Sequence, residues 1–344
     1  MIRNLVDPWI LARLVMGVAV SLLLLHAVRV AVRVLKHWRV GETNEGQLAL
    51  ERRAELVATI VQAALVVAVG SLALTVLVAD RLTGSIRGAM CAWGVFASTQ
   101  WGFAAVATSA LAAAACALWV VLHRLDMRLH APRLTRAKFL ALLVVAPIVW
   151  VDLITTIRFA SALDLDVVAS CCSTTLDSGV AAFGASDFGR SRTTLALLAA
   201  AAAVAAIATA AWARRSPGAA SAWSAALSSL VAFALSLPAI LYYVAPHVYE
   251  TPHHLCPFCL LRGDVGGIGW PLFGAIFLGT VLGVGLGVVE ASRRASGEPE
   301  QASALERSLA RWVAVAWITA LVVAVYPVAR FAIVSHGASL FGAA

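Results

Sequence analysis

Eight runs of about 20 predominantly apolar residues divide this chain, and they constrain its fold more than any other feature. Lipid offers no hydrogen-bond partner to an exposed peptide group, so only helices and closed barrels cross a bilayer. The runs are Trp9–Val32, Leu56–Ala79, Phe103–Val121, Leu140–Phe159, Thr193–Ala213, Trp223–Tyr243, Pro271–Val289 and Trp312–Phe331. Each is too long and too continuous for a strand. The expectation is an all-α, polytopic membrane helical bundle, with residues 1–344 forming a single integral membrane domain.

Composition agrees. Charged residues make up 13% of the chain, against about 25% in a soluble domain. The polar intervals are too short to build an independent soluble core. The first run is expected to be a retained helix rather than a signal peptide, because it outlasts a typical h-region and a cluster of basic residues, Arg29, Arg33, Lys36 and Arg39, lies at its end or after it. The net charge of +8 is not a nucleic-acid footprint, since the basic residues gather at the ends of apolar runs as in cytoplasmic loops. Nucleic-acid, phosphate-loop, hydrolase, zinc-protease and EF-hand signatures are missing from the sequence.

Lysine and arginine set the expected orientation. The first, third and seventh connections carry Arg33, Lys36, Arg39, Arg52 and Arg53, then Arg124, Arg128, Arg133, Arg136 and Lys138, then Arg293, Arg294, Arg307 and Arg311. Arg214 and Arg215 mark the fifth. The second, fourth and sixth hold Arg81 and Arg87, Arg190 and Arg192, and Arg262. Positive charge marks the cytoplasmic side, so odd connections face in and both termini face out. Cys91, Cys171, Cys172, Cys256 and Cys259 then share the outward side, and only Cys116 lies within a helix. In a bacterial inner membrane that side is the periplasm, where thiols can oxidise.

The densest group of reactive side chains is the loop from His247 to Arg262, which contains His253, His254 and Cys256-Pro257-Phe258-Cys259. Proline favours the first helical position, so Cys256 is expected at the N-cap of a short turn with Cys259 as its third residue. A thiolate at a helix N-terminus is stabilised by free N–H groups. That assigns Cys256 as attacking thiol and Cys259 as resolving thiol, with His253 or His254 tuning the thiolate. Leu260 after the second cysteine excludes c-type haem attachment. Cys171 and Cys172 are adjacent, so they bond more readily to other partners than to each other. They are the expected second pair, either exchanging electrons with Cys256 and Cys259 or joining them, with His253 or His254, around a thiophilic metal such as copper, zinc or mercury. The plainer alternative is a structural or accessory subunit whose loops are stapled by disulfides.

Cys-x-x-Cys beside a membrane helix, a following Arg262 and a second cysteine pair on another outward loop resemble the DsbB and vitamin K epoxide reductase class of membrane thiol oxidoreductases. That resemblance implies a quinone acceptor, with Cys256 and Cys259 proximal to it and Cys171 or Cys172 facing the substrate. The adjacent pair is similar to those of mercury and copper transport proteins, which implies metal transfer instead. The expected partners are the lipid bilayer and a periplasmic thiol protein or metallochaperone.

Asp152 lies well inside an apolar run, where an acid needs a partner facing the bundle interior. Arg158 is one candidate, although its offset puts it on another face, and a proton path coupled to the thiols is one possible use. Asp152 and Arg262 are also the candidate cofactor-binding residues. Gly279, Gly283 and Gly287 form overlapping Gly-x-x-x-Gly spacings that let backbones approach closely, either within the bundle or in a homodimer.

Overall fold

The structure, a computed structural model, describes residues 7–38, 44–131, 133–164 and 185–341, the side chains of 185–190 excepted. Among the described residues every regular element is helical. The α-helices are α1 (Pro8–His37), α2 (Glu45–Arg81), α3 (Ala92–Ala97), α4 (Gly102–Asp126), α5 (Thr135–Ala162), α6 (Ala185–Arg215), α7 (Ala219–Ala239), α8 (Ala245–Val248), α9 (Gly269–Ser296) and α10 (Pro299–Val334). A π-helical turn, Ile240–Val244, joins α7 to α8 just after Pro238. Among the described residues eight helical stretches are long and apolar enough to cross a membrane, the same eight that the apolar runs mark.

The helices outrun the apolar segments at both ends. Asp7 starts α1 by accepting hydrogen bonds from the N–H groups of Trp9 and Ile10, with Pro8 in the first turn. Asn44 caps α2 in the same way through Gln47. Arg52 and Arg53 therefore sit within α2, Lys138 within α5, and Arg307 and Arg311 within α10, rather than in loops. Basic residues such as Lys36 and Arg215 end α1 and α6, where they oppose the helix dipole. Hydropathy marks only the apolar part of a span, whereas helical hydrogen bonding continues until a cap or glycine stops it.

The chain divides into two compact units. Unit 1 comprises the described residues within Met1–Arg87, Val95–Val168 and Ala291–Ala302. In it α1 packs on α2, α2 on α4, α4 on α5 and α5 back on α1, which closes a four-helix ring. Leu24, Val61, Leu65, Trp119, Phe139 and Leu142 fill its core.

Unit 2 comprises the described residues within Gly88–Gly94, Ala169–Glu290 and Ser303–Ala344. Its core draws on α6, α7, α9 and α10, with Ala206, Ala210, Ala225, Ile276, Leu286 and Trp317 among the buried residues. Small side chains let these helices come close. A β-carbon on Gly279 would lie 2.8 Å from Trp317, one on Gly283 only 2.2 Å from the Ser229 hydroxyl, and one on Gly287 3.1 Å from Trp223. The glycine stripe of α9 thus faces α7 and α10 of its own unit, and Trp317 Nε1 donates to Ser229 Oγ at 3.3 Å.

Candidate functional site

The sixth connection, between α8 and α9, is a fixed loop. Thr251 N donates to Pro246 O, and His254 N to Thr251 O, at 3.0 and 3.2 Å. Arg192, at the start of a candidate span, donates from Nη1 to Pro252 O at 2.9 Å. Pro257 then leads into a 3₁₀ turn, Phe258–Leu261. The expected α-helical turn with Cys256 as N-cap is therefore corrected, because Pro257 takes the flanking position and the turn is tighter and one residue later. Four residues are too few to gather the aligned peptide dipoles on which thiolate stabilisation at a helix end depends. After the turn, Gly266 and Gly267 adopt φ of 72° and 62°, a left-handed bend open to glycine. Gly269 lies so close to Leu260 that a β-carbon there would sit 2.9 Å from its backbone.

Cys91 meets this loop. It precedes α3, after a turn at Gly88 whose φ is 80°. Its Sγ lies 3.3 Å from Cys256 Sγ, a non-bonded contact between residues 165 apart in sequence. The sulfurs of Cys91, Cys256 and Cys259 all lie within 4.8 Å of one another. Their exposures of 2%, 0% and 4% put all three out of solvent. Trp93, Tyr249 and Phe258 pack against them. The Arg262 guanidinium donates to Met90 O and also pairs with Asp264, at 3.3 Å. It thereby ties the residue before Cys91 to the loop that carries the other two cysteines.

His254 stacks on Tyr249, ring centroids 3.8 Å apart and planes at 19°. The Tyr249 hydroxyl donates to Cys259 O at 3.0 Å. Burial, reinforced by the neighbouring Cys259, pushes that hydroxyl above its ordinary pKa, so Tyr249 stays a neutral donor. Burial lowers the His254 pKa, with Cys91 opposing, which favours a neutral imidazole. His253 is exposed. Cys171 and Cys172, the expected second pair, lie outside the described residues.

Asp152 is held in unit 1 by a partner that the sequence reading did not name. Arg13 of α1 donates from Nη2 to Asp152 Oδ2 at 2.6 Å and from Nε to Thr75 at 2.8 Å. Ser109 donates to Asp152 Oδ1 at 2.5 Å. Gly17 makes room, since a β-carbon there would lie 3.1 Å from Arg13 Nη1. Arg158 instead lies over the Trp101 ring at 5.9 Å. Cys91 was assigned no role in the sequence because a lone cysteine carries no spacing signal. Arg13 carries no such signal either, because it lies near the start of its run, among residues that read as an ordinary helix start.

The donor set fits a thiophilic ion. At a metal–sulfur bond of about 2.3 Å, sulfurs around one ion stand about 3.8 Å apart in a tetrahedral site and about 4.0 Å apart in a trigonal one. One pair stands at 3.3 Å and all three sulfurs lie within 4.8 Å of one another, close to both values. The chain matches no protein-family model, no curated protein and no solved structure. Its resemblance to the DsbB and vitamin K epoxide reductase class accordingly rests on the loop motif alone.

Proposed function

We propose that this chain is a multi-pass protein of the bacterial inner membrane that binds a thiophilic metal ion through Cys91, Cys256 and Cys259. The observation that carries the reading is the convergence of three buried sulfurs within 4.8 Å from two segments far apart in sequence. The Lys and Arg asymmetry supports a site on the periplasmic side, where it would receive metal from, or pass it to, a soluble metallochaperone. Thiolates select soft or borderline ions, copper(I) and zinc(II) foremost. The site is closed by protein, which suits retention of an ion better than attack by a partner's thiol.

Metal analysis of the reduced, purified protein tests the reading. Incubation with zinc(II) or copper(I) and removal of the excess should leave about one ion per chain, as one three-sulfur site holds. Cys91→Ser should lose it, and Cys116→Ser, in a helix of the other unit, should keep it. Wild-type protein that retains neither ion overturns the proposal.

The 3.3 Å contact between Cys91 and Cys256 favours one second reading, reversible thiol–disulfide chemistry. Here these two thiols, rather than Cys256 and Cys259, join as a disulfide, giving two electrons and two protons to the disulfide of a periplasmic thiol protein. Alkylation trapping in cells separates the readings, because only this one requires a Cys91–Cys256 disulfide to form and disappear.

A further inference from the structure

We infer that His254 is a fourth ligand of the three-cysteine site, giving a Cys3His set that takes a divalent, four-coordinate ion, zinc(II), in preference to copper(I). The inference rests on the metal-binding reading of Cys91, Cys256 and Cys259 and adds a donor, a coordination number and a charge.

The first observation is local. His254 Nε2 is excluded from solvent and has no hydrogen-bond partner. A buried ring nitrogen in that state has given up water with nothing in return. The second is placement. His254 stands two positions before Cys256, and its ring lies flat on Tyr249. Tyr249 in turn holds the Cys259 carbonyl. One aromatic ring thus touches the imidazole and holds the cysteine turn, which keeps the histidine beside the cysteines. His254 also lies within electrostatic reach of Cys91. Its nitrogen stands outside the set of atoms that lie within 4.8 Å of one another, so it joins the ion by a turn of its side chain.

Charge decides between the ions. Three thiolates around copper(I) leave a net charge of −2, and around zinc(II) a net charge of −1. The sulfurs are buried, and uncompensated charge out of water is costly. A neutral imidazole adds a bond without adding charge. Three thiolates with one histidine form an established tetrahedral zinc set, whereas copper(I) is content with sulfur alone.

X-ray absorption on the reduced full-length protein loaded with zinc(II) tests this directly. Three sulfur neighbours and one nitrogen, with the outer-shell scattering of an imidazole, are expected. In His254→Ala the three sulfurs should remain and the imidazole signature should vanish. Changes behind a ligand alone lower affinity about 10- to 100-fold, so zinc(II) affinity should fall by at least about tenfold. His253→Ala should match wild type in both readouts. Cobalt(II) supplies a second view, as its visible d–d bands should be those of a tetrahedral site in wild type and should shift in His254→Ala. A wild-type spectrum with three sulfurs and no imidazole overturns the role of His254 while leaving the three-cysteine site intact. Wild-type protein that binds no zinc(II) or copper(I) overturns the underlying reading as well. Loss of the imidazole in His253→Ala with retention in His254→Ala assigns the wrong histidine and equally sinks the inference.

Discussion

Unit 1 places its polar chemistry inside the helical spans, whereas unit 2 places it on the connections between them. In unit 1, Arg13, Thr75, Ser109 and Asp152 come from four different helices and meet in the bundle interior. In unit 2, Cys91, Cys256 and Cys259 come from a segment before a short helix and from a 3₁₀ loop. A charge within an apolar span must be neutralised where it stands, so the Arg13–Asp152 pair is built into the helix packing. Thiols can be buried as small, weakly polar side chains at little cost. They can therefore be gathered on a loop and ionise when a metal displaces their protons. The first arrangement holds a fold together. The second gathers donor atoms without fixing a charge inside the bundle.

The largest effect is expected where that distinction is sharpest. Asp152→Ala leaves the Arg13 guanidinium, 2% exposed, without its counter-charge, and should destabilise the protein by about 3–5 kcal/mol. Denaturant unfolding in detergent would measure it. Arg13→Met combined with Asp152→Leu should regain most of the loss. If the single variant unfolds like wild type, the pair is not a structural lock.

Next in size is stabilisation by metal. At a zinc(II) concentration about 100 times its dissociation constant, binding should add about 2.7 kcal/mol to stability, read as a rise in Tm. Cys91→Ser should unfold like wild type without zinc and show no rise with it. A variant that is strongly destabilised in the absence of metal would mark the cluster as ordinary core packing.

Gly283→Ala sets packing in unit 2 against ion pairing in unit 1. Its β-carbon would fall 2.2 Å from Ser229 Oγ and disturb the bond from Trp317. A cost of about 1–3 kcal/mol is expected, partly restored by Ser229→Gly. An unchanged Tm would show that α7 and α9 can separate freely.

The smallest effect lies at the surface of unit 1, where His130 Nδ1 meets Glu298 Oε2 at 2.7 Å. The hydrogen bond with Glu298 raises the His130 pKa from its ordinary 6.5, and the same bond lowers that of Glu298 from 4.5. The histidine's contribution is complete below about 6.5 and is lost as pH rises through its raised value. The glutamate's is complete above about 4.5 and is lost as pH falls through its lowered value. The pair thus acts most fully between those two pH values. NMR titration should show the His130 midpoint falling in Glu298→Gln, with little change in Tm.

Much of this architecture is legible from local composition. Each apolar run marks a helix on its own, because the free energy of placing a segment in an apolar phase sums over neighbouring residues. Asp152 was recognisable as a buried polar site for the same reason, since one acid between apolar neighbours such as Val151 and Leu153 stands out without any knowledge of the fold. The glycine stripe of α9 was readable as a close-packing face. The ends of the helices were less legible, because Asp7 and Asn44 act through hydrogen bonds that hydropathy does not register.

What the tertiary structure decided is partnership. That Arg13 rather than Arg158 answers Asp152 follows from which faces of α1 and α5 meet. That Cys91 joins Cys256 depends on a turn at Gly88 and on Arg262 holding Met90, and those contacts join residues more than a hundred positions apart. Sequence spacing encodes neighbours along one helix or loop. It does not encode which distant segments share a packed interior, because that depends on how all the helices fit at once.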